Sequence, residues 1–232
     1  MGKRVLLFSG GTDSFVLSKI LNPDIHLYFD IGTAEVSKEL EACKKLGIEP
    51  IVDKRLFLQD MELPNKIVPM RNLFFILMAC YYGDVIYLGA TKGDMTRDDT
   101  KEFKDILNTL LISLYKIPEK NPRGRHTPHV EFPVKHLTKT EIIKEYLWSG
   151  YSLDELKMTR SCYKSDDLKD CGHCISCFRK WISYVNNDIY LKEDFLYNPL
   201  DKVEEFRPIV KTLNGEYGDL LVALEKVGYK NG

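Results

Sequence analysis

From Arg4 to Phe8 the chain is a short apolar run. It stops at Ser9-Gly10-Gly11 and gives way to Ser14 to Leu21, where Phe15, Leu17 and Ile20 stand at helical spacing. A strand, a glycine turn and a helix thus open the sequence, and the pattern recurs. Ile25 to Phe29 reads as a second strand, Thr33 to Leu46 as a helix stopped by Gly47, and Glu49 to Val52 as a third strand. A helix from about Pro69 to Tyr82, a strand at Val85 to Leu88 and a helix from about Thr100 to Tyr115 follow. Strands and helices alternating at these lengths are β-α units, and they predict an α/β fold with a doubly wound, mostly parallel sheet.

The pattern then breaks. Lys116 to His129 holds three prolines and a glycine among basic residues and reads as a flexible loop. Arg123, Arg125, His126 and His129 make it either a lid over bound phosphates or a solvated loop. Thr138-Lys139-Thr140-Glu141 and Ser152-Leu153-Asp154-Glu155 both fit the capping box and predict two short helices. A cysteine-rich segment comes next, and the tail to Gly232 alternates apolar and charged residues like a packed helical appendage. The expected division is an α/β domain over 1–150 and a cysteine-bearing, C-terminal helical region over 151–232.

With 44% apolar and 29% charged residues, the 232-residue chain can build a large core, which excludes wholesale disorder. A net charge of −1 gives no global attraction to nucleic acid or anionic membrane. The longest apolar stretch, Leu73 to Tyr82, falls well short of the roughly 20 residues that span a bilayer. Lys3 and Arg4 precede too short an apolar run for a signal peptide, so a cytoplasmic protein is expected.

Ser9-Gly10-Gly11-Thr12-Asp13-Ser14 lies where an open α/β sheet presents its ligand-binding edge. Two glycines let backbone amides approach a polyphosphate, the helix N-terminus attracts it, and the hydroxyls of Ser9 and Ser14 add donors. A plain glycine turn with an N-cap hydroxyl is the ordinary alternative. No G-x-x-x-x-G-K-[ST] or G-x-G-x-x-G sequence occurs, which argues against a kinase-type loop and against dinucleotide redox chemistry. Asp13 reads as an exposed loop carboxylate able to reach Mg²⁺, whose removal would spare the fold.

Cys162, Cys171, Cys174 and Cys177 are spaced C-x8-C-x2-C-x2-C, enough to close a tetrahedral thiolate site around one structural Zn²⁺. A redox C-x-x-C pair and an iron–sulfur cluster use similar spacings, and His173 stands inside the cluster as an alternative ligand or a loop residue. Cys43 and Cys80 fall within predicted helices and read as small buried hydrophobes.

The string S-G-G-x-D-S after the first strand resembles the pyrophosphate loop of the ATP-pyrophosphatase superfamily. Combined with the cysteine spacing it resembles the 7-cyano-7-deazaguanine synthase family of the queuosine and archaeosine pathways. Val68-Pro69-Met70-Arg71-Asn72 is similar to that family's V-P-G-R-N, Leu137-Thr138-Lys139-Thr140-Glu141-Ile142 to its L-T-K-x-E-I, and Ser161-Cys162-Tyr163 enters the cysteine site. Two stretches depart. Met70 replaces a glycine, and Met95 to Phe103 stands where the family has a Y-P-D-C-R-P-E-F type segment on the substrate side.

The resemblance implies an ATP-dependent, AMP-forming ligase. It converts 7-carboxy-7-deazaguanine and ammonia through an acyl adenylate and an amide to the nitrile, with ATP, Mg²⁺ and Zn²⁺. It gives Ser9, Gly10, Gly11, Thr12, Asp13 and Ser14 the departing pyrophosphate. Asp13, Arg71 of the matched motif and Lys92, just past the strand end at Leu88-Gly89, are the expected catalytic groups, with Asn72 and Asp94 as further polar contacts; a local cap or pair for Arg71 and a solvated side chain for Lys92 are the ordinary alternatives. A homodimer is the expected oligomer, without membrane or direct nucleic-acid partners. The other readings are a related pyrophosphate-loop enzyme adenylating another substrate, such as a tRNA-modifying one, and a non-catalytic zinc-knuckle binding module.

Overall fold

Strand β1, Arg4–Leu7, alternates with period two and is buried on both sides, Val5 and Leu7 in one apolar cluster and Leu6 in the other. A strand covered on both faces sits at the middle of a parallel sheet. The computed structural model, which describes residues 2–64, 66–94, 96–115, 127–162, 164, 169–190 and 194–229, shows that sheet. After β1 come α1 Thr12–Leu21, β2 Ile25–Phe29, α2 Val36–Lys45, β3 Ile51–Asp53, α3 Arg71–Ala79, β4 Val85–Tyr87, α4 Lys101–Tyr115 and β5 His129–Glu131. The strand order is β3-β2-β1-β4-β5, every pair parallel. The winding therefore reverses between β1 and β4, and the crevice beyond their C-terminal ends is the topological switch point.

Helices α3 and α4 cover the Val5–Leu7 face through Ile76, Ala79, Leu107 and Leu111. The Leu6 face is covered by α1, α2 and the elements that follow the sheet: α5 Lys139–Trp148, α6 Leu153–Lys157, α7 Ile175–Asn186, α8 Val203–Thr212 and α9 Glu216–Lys226. Helix α7 lies between α5 and α9 and buries Phe178, Trp181, Ile182, Tyr184 and Val185. Each large side chain so buried contributes roughly 1.5–3 kcal/mol. The C-terminal helices and the first strand thus belong to one apolar cluster, from Leu6 to Leu224.

The α/β pattern expected from sequence is borne out, with corrections. The segment read as a loop ends in a strand: His129–Glu131 is β5, pairing with β4 through Val130, which is fully buried. Its outer edge is closed by α4, where Asn108 accepts from the Val130 amide (2.7 Å) and donates to its carbonyl (3.0 Å). A side-chain amide there does what a sixth strand would, leaving that residue unavailable for edge pairing. Arg123, Arg125 and His126 lie outside the described residues. Helix α3 starts at Arg71 rather than near Pro69, and α2 at Val36 rather than Thr33. Both capping hydroxyls work as expected: Thr138 and Glu141 form a reciprocal box, and Ser152 accepts from the Asp154 and Glu155 amides. Glu155 pairs with Lys19 of α1 at 2.8 Å. Among the described residues no helix is long and apolar enough to cross a membrane.

Candidate active site

The Ser9–Ser14 loop occupies the turn from β1 into α1, at the switch point. Gly10 has φ of 71°, and a Cβ there would lie 3.1 Å from the Ala42 Cβ and 3.2 Å from the Glu39 carbonyl oxygen, so α2 leaves room for glycine alone. The hydroxyls shape the loop. Ser14 Oγ donates to the Gly11 carbonyl (3.1 Å) and accepts from the Ser9 amide (3.3 Å), and Ser9 Oγ accepts from the Gly11 amide (3.4 Å). No side chain caps α1, whose N-cap is Gly11, so its first amides face the crevice with the positive end of the helix dipole. From outside, a single strand of chain clamps the loop. The Arg160 amide donates to the Gly10 carbonyl (3.1 Å), and Thr12 and Thr159 share a buried hydroxyl contact of 2.9 Å.

Asp13 is not the exposed carboxylate its loop position suggests. One oxygen, Oδ2, is paired with Lys139 of α5, and Oδ1 is sealed from solvent with no hydrogen-bond partner among the described residues. Asp94, in the loop after β4, lies within electrostatic reach, and Arg179 of α7 ties it to α9. Arg179 donates through Nη1 to Asp94 Oδ1 (2.8 Å) and through Nε and Nη2 to the two carboxylate oxygens of Glu216 (2.7 and 2.5 Å). Gly93 allows this approach, because a Cβ there would run into the Glu216 carboxylate. Lys135 fixes the same loop by donating to the Thr91 and Asp94 carbonyls (2.9 and 2.7 Å) and to Asp99 (3.0 Å).

The two aspartates are driven apart. Burial pushes the Asp13 carboxyl above the ordinary carboxylate range despite Lys139, and the charge of Asp94 adds to the rise. Burial also opposes ionisation of Asp94, but Arg179 and Lys139, with the Thr91 amide (2.7 Å), outweigh it and hold its carboxyl well below that range. Arg179 is held firmly charged by Asp94 and Glu216 against the cost of its own burial.

The other expected site residues are more loosely placed. Arg71 is exposed, its guanidinium 5.8 Å from the Phe75 ring centre, and its charge reaches Glu39, whose carbonyl approaches Gly10. Asn72 donates its amide to Asp98 (2.8 Å), so the departing segment 96–103 caps the start of α3. Lys92 anchors by its amide to the Leu137 carbonyl (2.7 Å), and its exposed side chain runs past Gly215. Sequence reasoning missed Lys135, Arg179 and Glu216 outright. It quoted Lys139 only as part of a motif.

Cys162, Cys171, Cys174 and Cys177 are buried, and their sulfurs all lie within 4.8 Å of one another. A Zn–S bond of about 2.3 Å puts the sulfurs of a tetrahedral site about 3.8 Å apart, and Cys171 and Cys177 stand at 3.9 Å. Backbone amides already point at the sulfurs: Cys171 and Lys164 at Cys162 (3.3 and 3.4 Å), and His173 at Cys171 (3.3 Å). Hydrogen bonds from Cys174 and Cys177 hold the Cys162 thiol far below its usual range, while the same crowding pushes Cys174 up to about 12. All four can be thiolates only around a cation, and the donor set fits Zn²⁺. His173 is not part of it; its ring stacks on Tyr197, with Nε2 3.5 Å from Asp201.

A parallel α/β sheet of the nucleotide alpha-hydrolase type, with a glycine loop at its switch point and a buried four-cysteine centre beside it, defines the class. The family model described as queuosine biosynthesis protein QueC matches residues 31–188, and the chain belongs to that family. The match takes in Val68 to Asn72, the Leu137 to Ile142 motif and all four cysteines. Among curated relatives, a 7-cyano-7-deazaguanine synthase of Campylobacter hominis is 26% identical over 75% of this chain and 91% of its own. Proteins of the same name from Chlorobaculum parvum and Chlorobium phaeobacteroides are each 28% identical, over 79% and 75% of this chain and 92% and 88% of theirs.

Proposed function

We propose that the chain is an ATP-dependent, AMP-forming ligase that makes 7-cyano-7-deazaguanine from 7-carboxy-7-deazaguanine and ammonia, the product for which its relatives are named. The observation that carries this reading is the S-G-G-T-D-S loop at the switch point, its amides and the uncapped start of α1 aimed into the crevice. The carboxylate attacks the α-phosphorus of ATP and pyrophosphate leaves. Ammonia attacks the acyl carbon, AMP leaves and a proton is lost, giving the amide. A second ATP activates the amide oxygen in the same way, pyrophosphate leaving, and loss of AMP and of both amide protons leaves the nitrile.

The protein's part is charge and position. Amides of Gly10 to Ser14 receive the departing pyrophosphate, and Lys139 and Arg71 oppose its charge. Lys92 stands in the loop facing α5. Asp94, ionised and fixed by Arg179 and Lys135, keeps that loop in place. The orphaned Asp13 Oδ1 is a hard oxygen donor suited to Mg²⁺, which would add charge against the phosphates. Residues 1–150 bring the nucleotide side and 151–232 the metal side, joined at Thr12–Thr159 and Asp94–Arg179.

The test is product analysis with 7-carboxy-7-deazaguanine, ATP, Mg²⁺ and ammonia. The expected result is AMP and pyrophosphate, two of each per nitrile. ADP and phosphate, or no turnover with this carboxylate, would defeat the proposal.

A further inference from the structure

Lys180 is 5% exposed, one of the most deeply buried charged side chains in the molecule. Its Nζ donates to the Thr159 carbonyl (2.8 Å) and to Asp170 Oδ2 (2.9 Å), and Asp170 is buried with it. A buried ion pair is seldom retained for stability alone, since an apolar replacement of similar size often does as well. The position of this one is informative. Lys180 stands on α7 three residues after Cys177, Asp170 immediately precedes Cys171, and Thr159 is three residues before Cys162. One ammonium therefore joins all three chain segments that converge on the four-cysteine centre.

The same Thr159 reaches the other way. Its hydroxyl meets that of Thr12, and the next residue, Arg160, holds the Gly10 carbonyl. Ser161 Oγ lies 3.3 Å from Thr12 Oγ1, and Cys162 follows directly. The strand that clamps the phosphate loop thus ends in a metal ligand. Its first residue, Thr159, is fastened by Lys180 to the neighbours of two others.

We propose that Lys180 is a positioning residue through which a metal in the four-cysteine centre sets the shape of the Ser9–Ser14 loop, so that metal and polyphosphate bind cooperatively. The inference rests on the reading of that loop as the pyrophosphate site. With the sulfurs gathered on the ion, residues 159–162 are held at one end and the loop carbonyl at Gly10 is held with them. Without the ion, the clamp is tethered by Lys180 to an Asp170 held through its backbone by Leu196 (2.9 Å) and no longer by the metal ligand beside it. Linkage makes the effect mutual: pyrophosphate must tighten the metal by the factor by which the metal tightens pyrophosphate.

The experiment uses the zinc-loaded chain. Zinc affinity is measured by competition with a chromophoric chelator, with and without saturating inorganic pyrophosphate, and pyrophosphate affinity by calorimetry. For the wild type, pyrophosphate is expected to tighten zinc roughly 5- to 150-fold, the usual range of site-to-site coupling. In Lys180→Met with one zinc per chain, that factor should fall to within about twofold of unity and pyrophosphate should bind correspondingly more weakly. Lys180→Arg, which keeps charge and donors, should recover most of it. Thr159→Val leaves the Lys180 contact to the backbone in place and cuts only the hydroxyl to Thr12. It should reduce the coupling as well, which keeps the proposal testable if Lys180→Met does not fold. Wild-type protein that binds pyrophosphate with an affinity indifferent to zinc, or folded variants that keep the full coupling, would overturn the proposal alone. Wild type that binds neither pyrophosphate nor ATP would overturn the reading of the loop and this proposal with it.

Discussion

Asp13 and Asp94 carry the same group into opposite conditions, and their contributions to stability have opposite signs. The folded pKa of Asp94 is depressed, so its charge stabilises the fold above the ordinary value of 3.8 and that gain is lost as pH falls through the depressed value. The folded pKa of Asp13 is raised, so ionising it weakens the fold as pH rises past 3.8. Asp94→Asn should cost about 3 kcal/mol at pH 7, because it leaves Arg179 with half of its buried counter-charge. Asp13→Asn should be neutral or stabilising there while abolishing turnover. Urea melts at pH 7 and near pH 4 check both, and the difference between the two variants should shrink at the lower pH. These partners were hidden in the sequence for a plain reason. Arg179 and Glu216 are single charges on helices, where most such residues are solvated, and only the packing of α7 against α9 shows them facing inward. The loop itself was legible because its chemistry is local: Gly10 is needed for a φ that the residue type announces.

At the scale of the element, α3 begins on an unusual residue. Met70, its N-cap, has φ of 57° and ψ of 19°, a left-handed conformation in which a side chain costs roughly 1–2 kcal/mol and glycine almost nothing. Met70 is 54% exposed, so it recovers little by burial. Met70→Gly should therefore raise stability, by about 0.5 kcal/mol once the extra freedom of glycine in the unfolded chain is subtracted. A thermal melt showing a loss of 1 kcal/mol or more would mean that the methionine is held by a contact in the folded state. Long helices such as α4 and mostly apolar strands such as β2, interrupted only by His26, could be read from the sequence pattern. The three residues of β5 could not. Val130 is their one buried side chain, prolines precede it, and a strand so short is recognisable only by the β4 edge it joins.

Over the whole molecule, the cysteine centre belongs to the main core. Cys162, Cys171, Cys174 and Cys177 share a cluster with Phe15, Phe178 and Leu220, drawn from both ends of the chain. Cys174→Ser should lose zinc and stability together in a single unfolding transition. A site contributing even about 4 kcal/mol lowers Tm by roughly 8–16 °C in a chain of this size. Metal analysis with calorimetry tests it; two separate transitions, or full stability without zinc, would contradict the shared core. The clamp on the Ser9–Ser14 loop also has a temporal consequence. Thr12 precedes its partner Thr159 by 147 residues. At synthesis rates of about 5–20 residues per second, the loop leaves the ribosome roughly 7–30 s before the Thr159 clamp can reach it. A chain abandoned part-way through translation thus carries the complete loop sequence without the Thr159 clamp.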